Sequence, residues 1–217
     1  MPDNSRDAIL TSIRSAIKGS QHSYDSQHPP IDRSYQRAGS LDRQKCLDLF
    51  AERLREYDAD VVFTDSANIQ NALSKIVGVD PSPAIVPWVV AEGLPSSWLP
   101  SSDSLLWESK ATVDDLNQCS GVVTTCTAGI ALTGTIVMQH GPGEGKRQTS
   151  LLPDRHLCIV QSSQVVETVP QAFSILAPAA TRPLTFISGP SATADIEMTR
   201  IRGVHGPRYL HVIIVTT

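Results

Sequence analysis

Closely grouped cysteines are missing from this chain. Its four cysteines, Cys46, Cys119, Cys126 and Cys158, form no C-x-x-C pair. Structural zinc sites and iron–sulfur clusters usually draw on grouped thiolates, so neither is expected in this chain. Cys46 and Cys158 fall in apolar-periodic segments and read as small buried hydrophobes. Spacing leaves a Cys119–Cys126 disulfide open, although a cytoplasmic chain favours free thiols. Long Lys/Arg runs are absent too, and the formal net charge is −4, which argues against a nucleic-acid or membrane-surface protein. The C-terminal apolar run Leu210–Val215 is far too short to span a bilayer. Met1 to Lys18 is polar and amphipathic and lacks the apolar segment of a signal peptide. A cytoplasmic protein without a membrane span is the expectation.

Several catalytic signatures are also missing. No Gly-x-x-x-x-Gly-Lys-Ser/Thr phosphate loop, no Gly-x-Gly-x-x-Gly dinucleotide fingerprint and no Gly-x-Ser-x-Gly elbow occur. His156, His205, Asp195 and Glu197 show no H-x-x-x-H or similar spacing, so no metal is expected.

What remains is globular: 217 residues, 41% hydrophobic and 18% charged, suit one domain with a short N-terminal appendage. Ile9, Ile13 and Ile17 recur every four residues within Ser5–Lys18, a helical stripe that stops at Gly19. Ser20–Gly39, rich in Ser, Gln, His and Pro, reads as a mobile linker. Residues 1–39 are therefore helix plus linker, and 40–217 the main domain. A helix over Leu41–Tyr57 carries Leu47, Phe50, Leu54 and Tyr57 on one face. Asp60–Phe63 is a strand, Ser66 a plausible cap for a helix bearing Ile69, Leu73, Ile76 and Val77, and Ala84–Val86 the next strand. Leu105–Trp107 reads as a further strand, and Thr112 caps a short helix over Val113–Asn117. Ile136–Met138, Leu157–Val160, Leu184–Ile187 and Leu210–Val215 are candidate central strands. Val165–Leu176 reads as a helix whose first turns Pro170 weakens. The fold class is α/β, with a largely parallel sheet flanked by helices.

Gly141-Pro142-Gly143-Glu144-Gly145-Lys146-Arg147 reads as a flexible turn between strands, from which Lys146 and Arg147 can reach an anion. Thr133-Gly134-Thr135 either presents hydroxyl and backbone donors to a carboxylate or phosphate, or is a tight strand entry whose threonines bond their own backbone. Ser191, Thr193 and Asp195 alternate after a Gly-Pro turn, where a strand-to-helix turn would aim free N–H groups into a crevice. His205 can act as an acid–base group or anion donor, or simply bond backbone. Arg208 can hold a carboxylate bidentately. His156 carries the same ambiguity as His205. Thr133, Gly134, Thr135, Ser191, Thr193, Asp195, His205 and Arg208 are the expected ligand-binding residues, gathered at the carboxyl edge of the sheet around a small anionic metabolite. No catalytic residue is assigned.

The run from about Val122 to Val215 resembles the LUD domain of the lactate utilization protein C family. The matching features are Ala131-x-Thr133-Gly134-Thr135, Leu151-Leu152-Pro153-x-x-His156, Gly189-Pro190-Ser191-x-Thr193-x-Asp195-Ile196-Glu197 and Gly203-Val204-His205-Gly206-Pro207-Arg208. The resemblance implies a fold like the NagB, RpiA and CoA-transferase superfamily, so that 40–217 is a LUD-type domain. It also implies a non-redox accessory subunit in the oxidation of L-lactate to pyruvate, with the iron–sulfur cluster in a partner and no cofactor here. Many relatives carry Glu before Thr-Gly-Thr. Leu132 stands there instead, so a carboxylate nucleophile is unsupported at that position. The alternative is a free-standing enzyme or binder for a phosphorylated or CoA-linked metabolite.

Overall fold

Leu210, Val212 and Ile214 alternate with His211, Ile213 and Val215, and a strand sends such neighbours to opposite faces. In a computed structural model of the protein both faces of this strand are covered, which is why the run is apolar almost throughout. The structure describes residues 3–19, 34–78, 86–101, 104–179, 181–193, 201–203 and 205–216. The chain divides into two compact units, Met1–Tyr35 and Gln36–Thr217. The first holds helix α1 (Asp3–Gly19), whose Ile9, Ile13 and Ile17 are exposed.

The second unit runs through α2 (Arg43–Glu56), β1 (Asp60–Asp65), α3 (Ile69–Val77), β2 (Trp88–Val90), β3 (Leu105–Trp107), α4 (Val113–Gln118), β4 (Gly121–Thr125), β5 (Ala128–Ile130), β6 (Thr135–Met138) and β7 (Arg155–Gln161). It continues with β8 (Val165–Val166), α5 (Val169–Leu176), β9 (Thr185–Ile187), β10 (Ala192–Thr193), β11 (Ile201–Arg202) and β12 (Tyr209–Thr216). A six-stranded sheet has the order β1-β12-β7-β4-β2-β3, and all its pairings are parallel. A four-stranded sheet, β8-β5-β6-β9, is parallel at β8–β5 and antiparallel elsewhere. The protein is thus α/β, with a mostly parallel sheet flanked by helices.

The two faces of the large sheet feed separate cores. Leu210, Val212 and Ile214 pack with Cys158, Val160, the buried stripe of α2 and the inner side of the small sheet. Ile213 and Val215 pack with Leu157, Ile159, Trp88 and Leu73 of α3 on the other face. In α2, Leu47, Phe50 and Leu54 are buried as their spacing predicts, each contributing about 1.5–3 kcal/mol. Tyr57 is instead the exposed C-cap. The Asp42 carboxylate starts the helix by accepting from Lys45 N at 2.8 Å.

Several expected elements come out differently. Ile136–Met138 and Leu184–Ile187 belong to the small sheet, as β6 and its edge strand β9, because an apolar run does not say which sheet it joins. Phe186 is correspondingly exposed, stacked on Phe173 of α5 at 6.2 Å. The Val165–Leu176 segment splits into β8 and α5. Thr168 and Gln171 form a capping box there, and Pro170 sits in the first turn, where no N–H is needed. Ser66 is not a cap: the Asp65 carboxylate accepts from Ala67 N and Asn68 N, and α3 begins at Ile69. Ala84 and Ile85 lie outside the described residues, and Val86 precedes β2 rather than ending a strand. Residues 36–39 fall in the second unit, where buried Glu167 accepts from Ser40 N at 2.5 Å and Leu41 N at 2.7 Å. Among the described residues no helix is long and apolar enough to cross a membrane.

Candidate functional site

The glycine-rich segment after β6 is pinned rather than flexible. Two buried carboxylates hold it from inside. Glu144 accepts from Gln139 N at 2.6 Å and Thr127 Oγ1 at 2.5 Å. Glu108 accepts from Lys146 N at 2.8 Å and Thr149 Oγ1 at 2.5 Å. Gly143 N donates to Glu92 O and Glu144 N to Gly141 O. Because these N–H groups already have acceptors, the segment offers little with which to cradle a phosphate. Its remaining contribution is Arg147, whose exposed side chain emerges at the end of the strap.

Arg147 lines a cleft of about 170 Å³. His156 and Leu210, each the second residue of its strand, place the cleft at the amino ends of β7 and β12. The turn after β9, Ser188-Gly189-Pro190-Ser191, and the loop His205-Gly206-Pro207 form its other walls. The expected carboxyl-edge location is therefore corrected: the cleft lies at the amino ends of β7 and β12, with the turn that leaves β9 as one wall. Its polar lining is Arg147, Ser150, His156, Thr185, Ser188, Ser191 and His205, with no acidic side chain among the described residues.

His156 is the buried centre of the lining, 1% exposed. Thr124 Oγ1 lies 2.7 Å from its Nε2, and among the described residues Nδ1 has no partner. Burial lowers its pKa to about 4, so the imidazole is neutral near pH 7 and presents one ring nitrogen to the cleft. Ser150 Oγ donates to Arg147 O at 3.2 Å, fixing the backbone from which the guanidinium projects. A cation, a neutral imidazole and several hydroxyls, with no opposing carboxylate among the described residues, form a receptor for a small anion.

The expected site residues divide around this cleft. Ser191 and His205 line it, but Ser191 Oγ donates to His205 O at 2.7 Å and accepts from His205 N at 3.2 Å. With Ser191 N on Pro207 O as well, this serine latches one wall loop to the other. Thr133 and Thr135 connect through Ser188: Thr133 Oγ1 is 2.7 Å from Thr135 Oγ1, which is 2.8 Å from Ser188 Oγ. They back the rim without lining it. Gly134 has φ +56°, and a Cβ there would lie 2.7 Å from Arg53 Cβ and 2.8 Å from its carbonyl carbon, so α2 requires glycine. Gly189, at φ +91°, is equally constrained, with Tyr57 Cβ 2.5 Å from where its own Cβ would stand. Arg208 holds Asp154 bidentately at 2.5 and 2.7 Å, away from the cleft lining. Thr193 lies in β10, paired with β11, so the expected strand-to-helix turn is replaced by a two-stranded ribbon. Asp195 lies outside the described residues. The cleft residues outside the expected ligand-binding set include His156 and Arg147, both weighed from the sequence as anion contacts, and Ser188, which was not considered. His156 carried a signal, since it is the one histidine in an otherwise apolar strand interior.

Fold and cleft define an α/β protein with a small polar receptor at the amino edge of a parallel sheet, its described lining free of acidic side chains. The chain belongs to the LUD domain family, whose model matches residues 47–215. Lactate utilization protein C of Deinococcus radiodurans is 37% identical over 210 residues, 95% of this chain and 93% of that one. The protein of that name from Anoxybacillus flavithermus is 27% identical over 204 residues, 88% of each chain. A solved DUF162 family protein from Deinococcus radiodurans superposes with a TM-score of 0.69 at 32% identity, covering 81% of this chain and 99% of that chain.

Proposed function

We propose that this chain is a cytoplasmic accessory subunit in the oxidation of L-lactate to pyruvate, working beside an iron–sulfur partner. The observation that carries the proposal is similarity along nearly the whole chain to relatives called lactate utilization protein C. Lactate oxidation removes two electrons, which need a carrier. Cys126 and Cys158 neighbour each other in one core, which also holds Cys46, and Cys119 sits in another, so the four thiols do not gather at one point. Burial pushes the Cys119 thiol up to about 11. Among the described residues no group of three or more His, Cys, Asp or Glu gathers to hold a metal. The proposal assigns the electron carrier to the partner.

Deleting the gene should impair growth on L-lactate as sole carbon source and spare growth on glucose. Normal growth on lactate, in a strain without a redundant system, would overturn the proposal. For the other reading, a phosphorylated or CoA-linked ligand, this cleft of about 170 Å³ is small for an enclosed CoA moiety, against roughly 300–1,000 Å³ for clefts that enclose larger ligands.

A further inference from the structure

We infer that the cleft itself binds a short 2-hydroxy or 2-oxo monocarboxylate, with Arg147 on the carboxylate and His156 on the neighbouring oxygen. The inference rests on the proposed role in lactate oxidation and adds that this subunit contacts the substrate class directly. Its independent support is the chemistry of the lining. The space of about 170 Å³ suits a ligand of a few heavy atoms. Arg147 is the cation in the lining, its side chain has no partner among the described residues, and no carboxylate competes for it there.

The second polar contact distinguishes this class from plain fatty acids. His156 is nine-tenths or more buried and lines the cleft, yet its partner Thr124 occupies one ring nitrogen alone. In either tautomer Nδ1 can pair with a 2-hydroxyl, as donor or as acceptor. In the tautomer with the proton on Nδ1 and the Thr124 hydroxyl donating to Nε2, it donates to a 2-oxo oxygen. Nδ1 borders the cleft without a protein partner among the described residues, so a ligand oxygen can hydrogen-bond to it. Leu151 and Leu210 supply apolar wall for a methyl group. An anion with a carboxylate, one adjacent oxygen and a short apolar tail satisfies each of these groups.

The test is calorimetric titration of the purified full-length chain with L-lactate, pyruvate, propionate, inorganic phosphate and coenzyme A. L-Lactate or pyruvate should bind roughly tenfold to a hundredfold more tightly than propionate, which lacks the second oxygen. Arg147→Gln, at an exposed position, should weaken every carboxylate by about tenfold or more while the fold is retained. His156→Gln should narrow the gap between lactate and propionate. Equal binding of propionate, binding unaffected by Arg147→Gln, or phosphate or coenzyme A binding with no carboxylate binding would each overturn the assignment. If growth on lactate needs the gene but the folded chain binds no carboxylate, the site assignment fails and the subunit role stands. If carboxylates bind as expected but growth needs no such gene, the subunit role fails and the site stands.

Discussion

Replacing His156 by Gln should flatten the fall in stability that accompanies acidification. In the folded chain burial holds the His156 pKa at about 4, against 6.5 for a free imidazole. The unfolded state therefore binds the proton more readily, and the stability present above the unfolded pKa is lost as pH falls from about 6.5 towards about 4. A displacement of this size corresponds to about 3 kcal/mol. Urea denaturation of the wild type and His156→Gln from about pH 7 to about pH 4 measures it, and the difference in slope isolates this residue. His211, whose pKa burial also lowers against the pull of Asp60, contributes in the same direction in both proteins and cancels. Parallel stability curves would refute the reasoning, because they would mean that His156 is solvated or charged in the native cleft.

Gly134→Ala should lower the melting temperature without a specific effect on ligand affinity. The left-handed backbone costs about 1–2 kcal/mol and contact with the α2 backbone about 1–3 more, at about 2–4 °C per kcal/mol; an unchanged melting temperature with lost binding would restore a ligand role. Ser191→Ala should cost about 0.5–1.5 kcal/mol and accelerate amide exchange at His205, whose N–H bonds the serine hydroxyl; unchanged exchange would mean that the latch does not hold. Glu167→Ala should leave Ser40 N and Leu41 N without their acceptor, a loss of about 2–4 kcal/mol, and protease should then cut first near residues 36–41; a cleavage pattern like the wild type's would contradict this.

Periodicity revealed the parts of the fold that depend on one face. The α2 stripe, the Thr112-capped α4 and the strands β7 and β12 all lie where apolar spacing placed them. The assignment of strands to sheets was hidden, because β6 and β9 are as apolar as the central strands yet pair antiparallel in a separate sheet. The site was legible as segments and not as roles. Gly189–Ser191 and His205–Pro207 do meet at one cleft, but whether a motif residue binds or braces depends on tertiary partners. Thr135 finds Ser188, 53 residues away, and Gly134 faces α2. The glycine-rich strap is a turn, as the sequence suggested, but its rigidity was hidden for the same reason, since the carboxylate that consumes the Lys146 N–H comes from Glu108, 38 residues earlier.

The most direct test of the proposed role is to purify the tagged chain from lactate-grown cells and assay the eluate for L-lactate oxidation with an artificial electron acceptor. The account predicts that iron–sulfur proteins and the oxidation activity elute together with the chain, and that extracts of the deletion strain lack the activity. A chain that elutes alone, with lactate oxidation intact in the deletion strain, would contradict it.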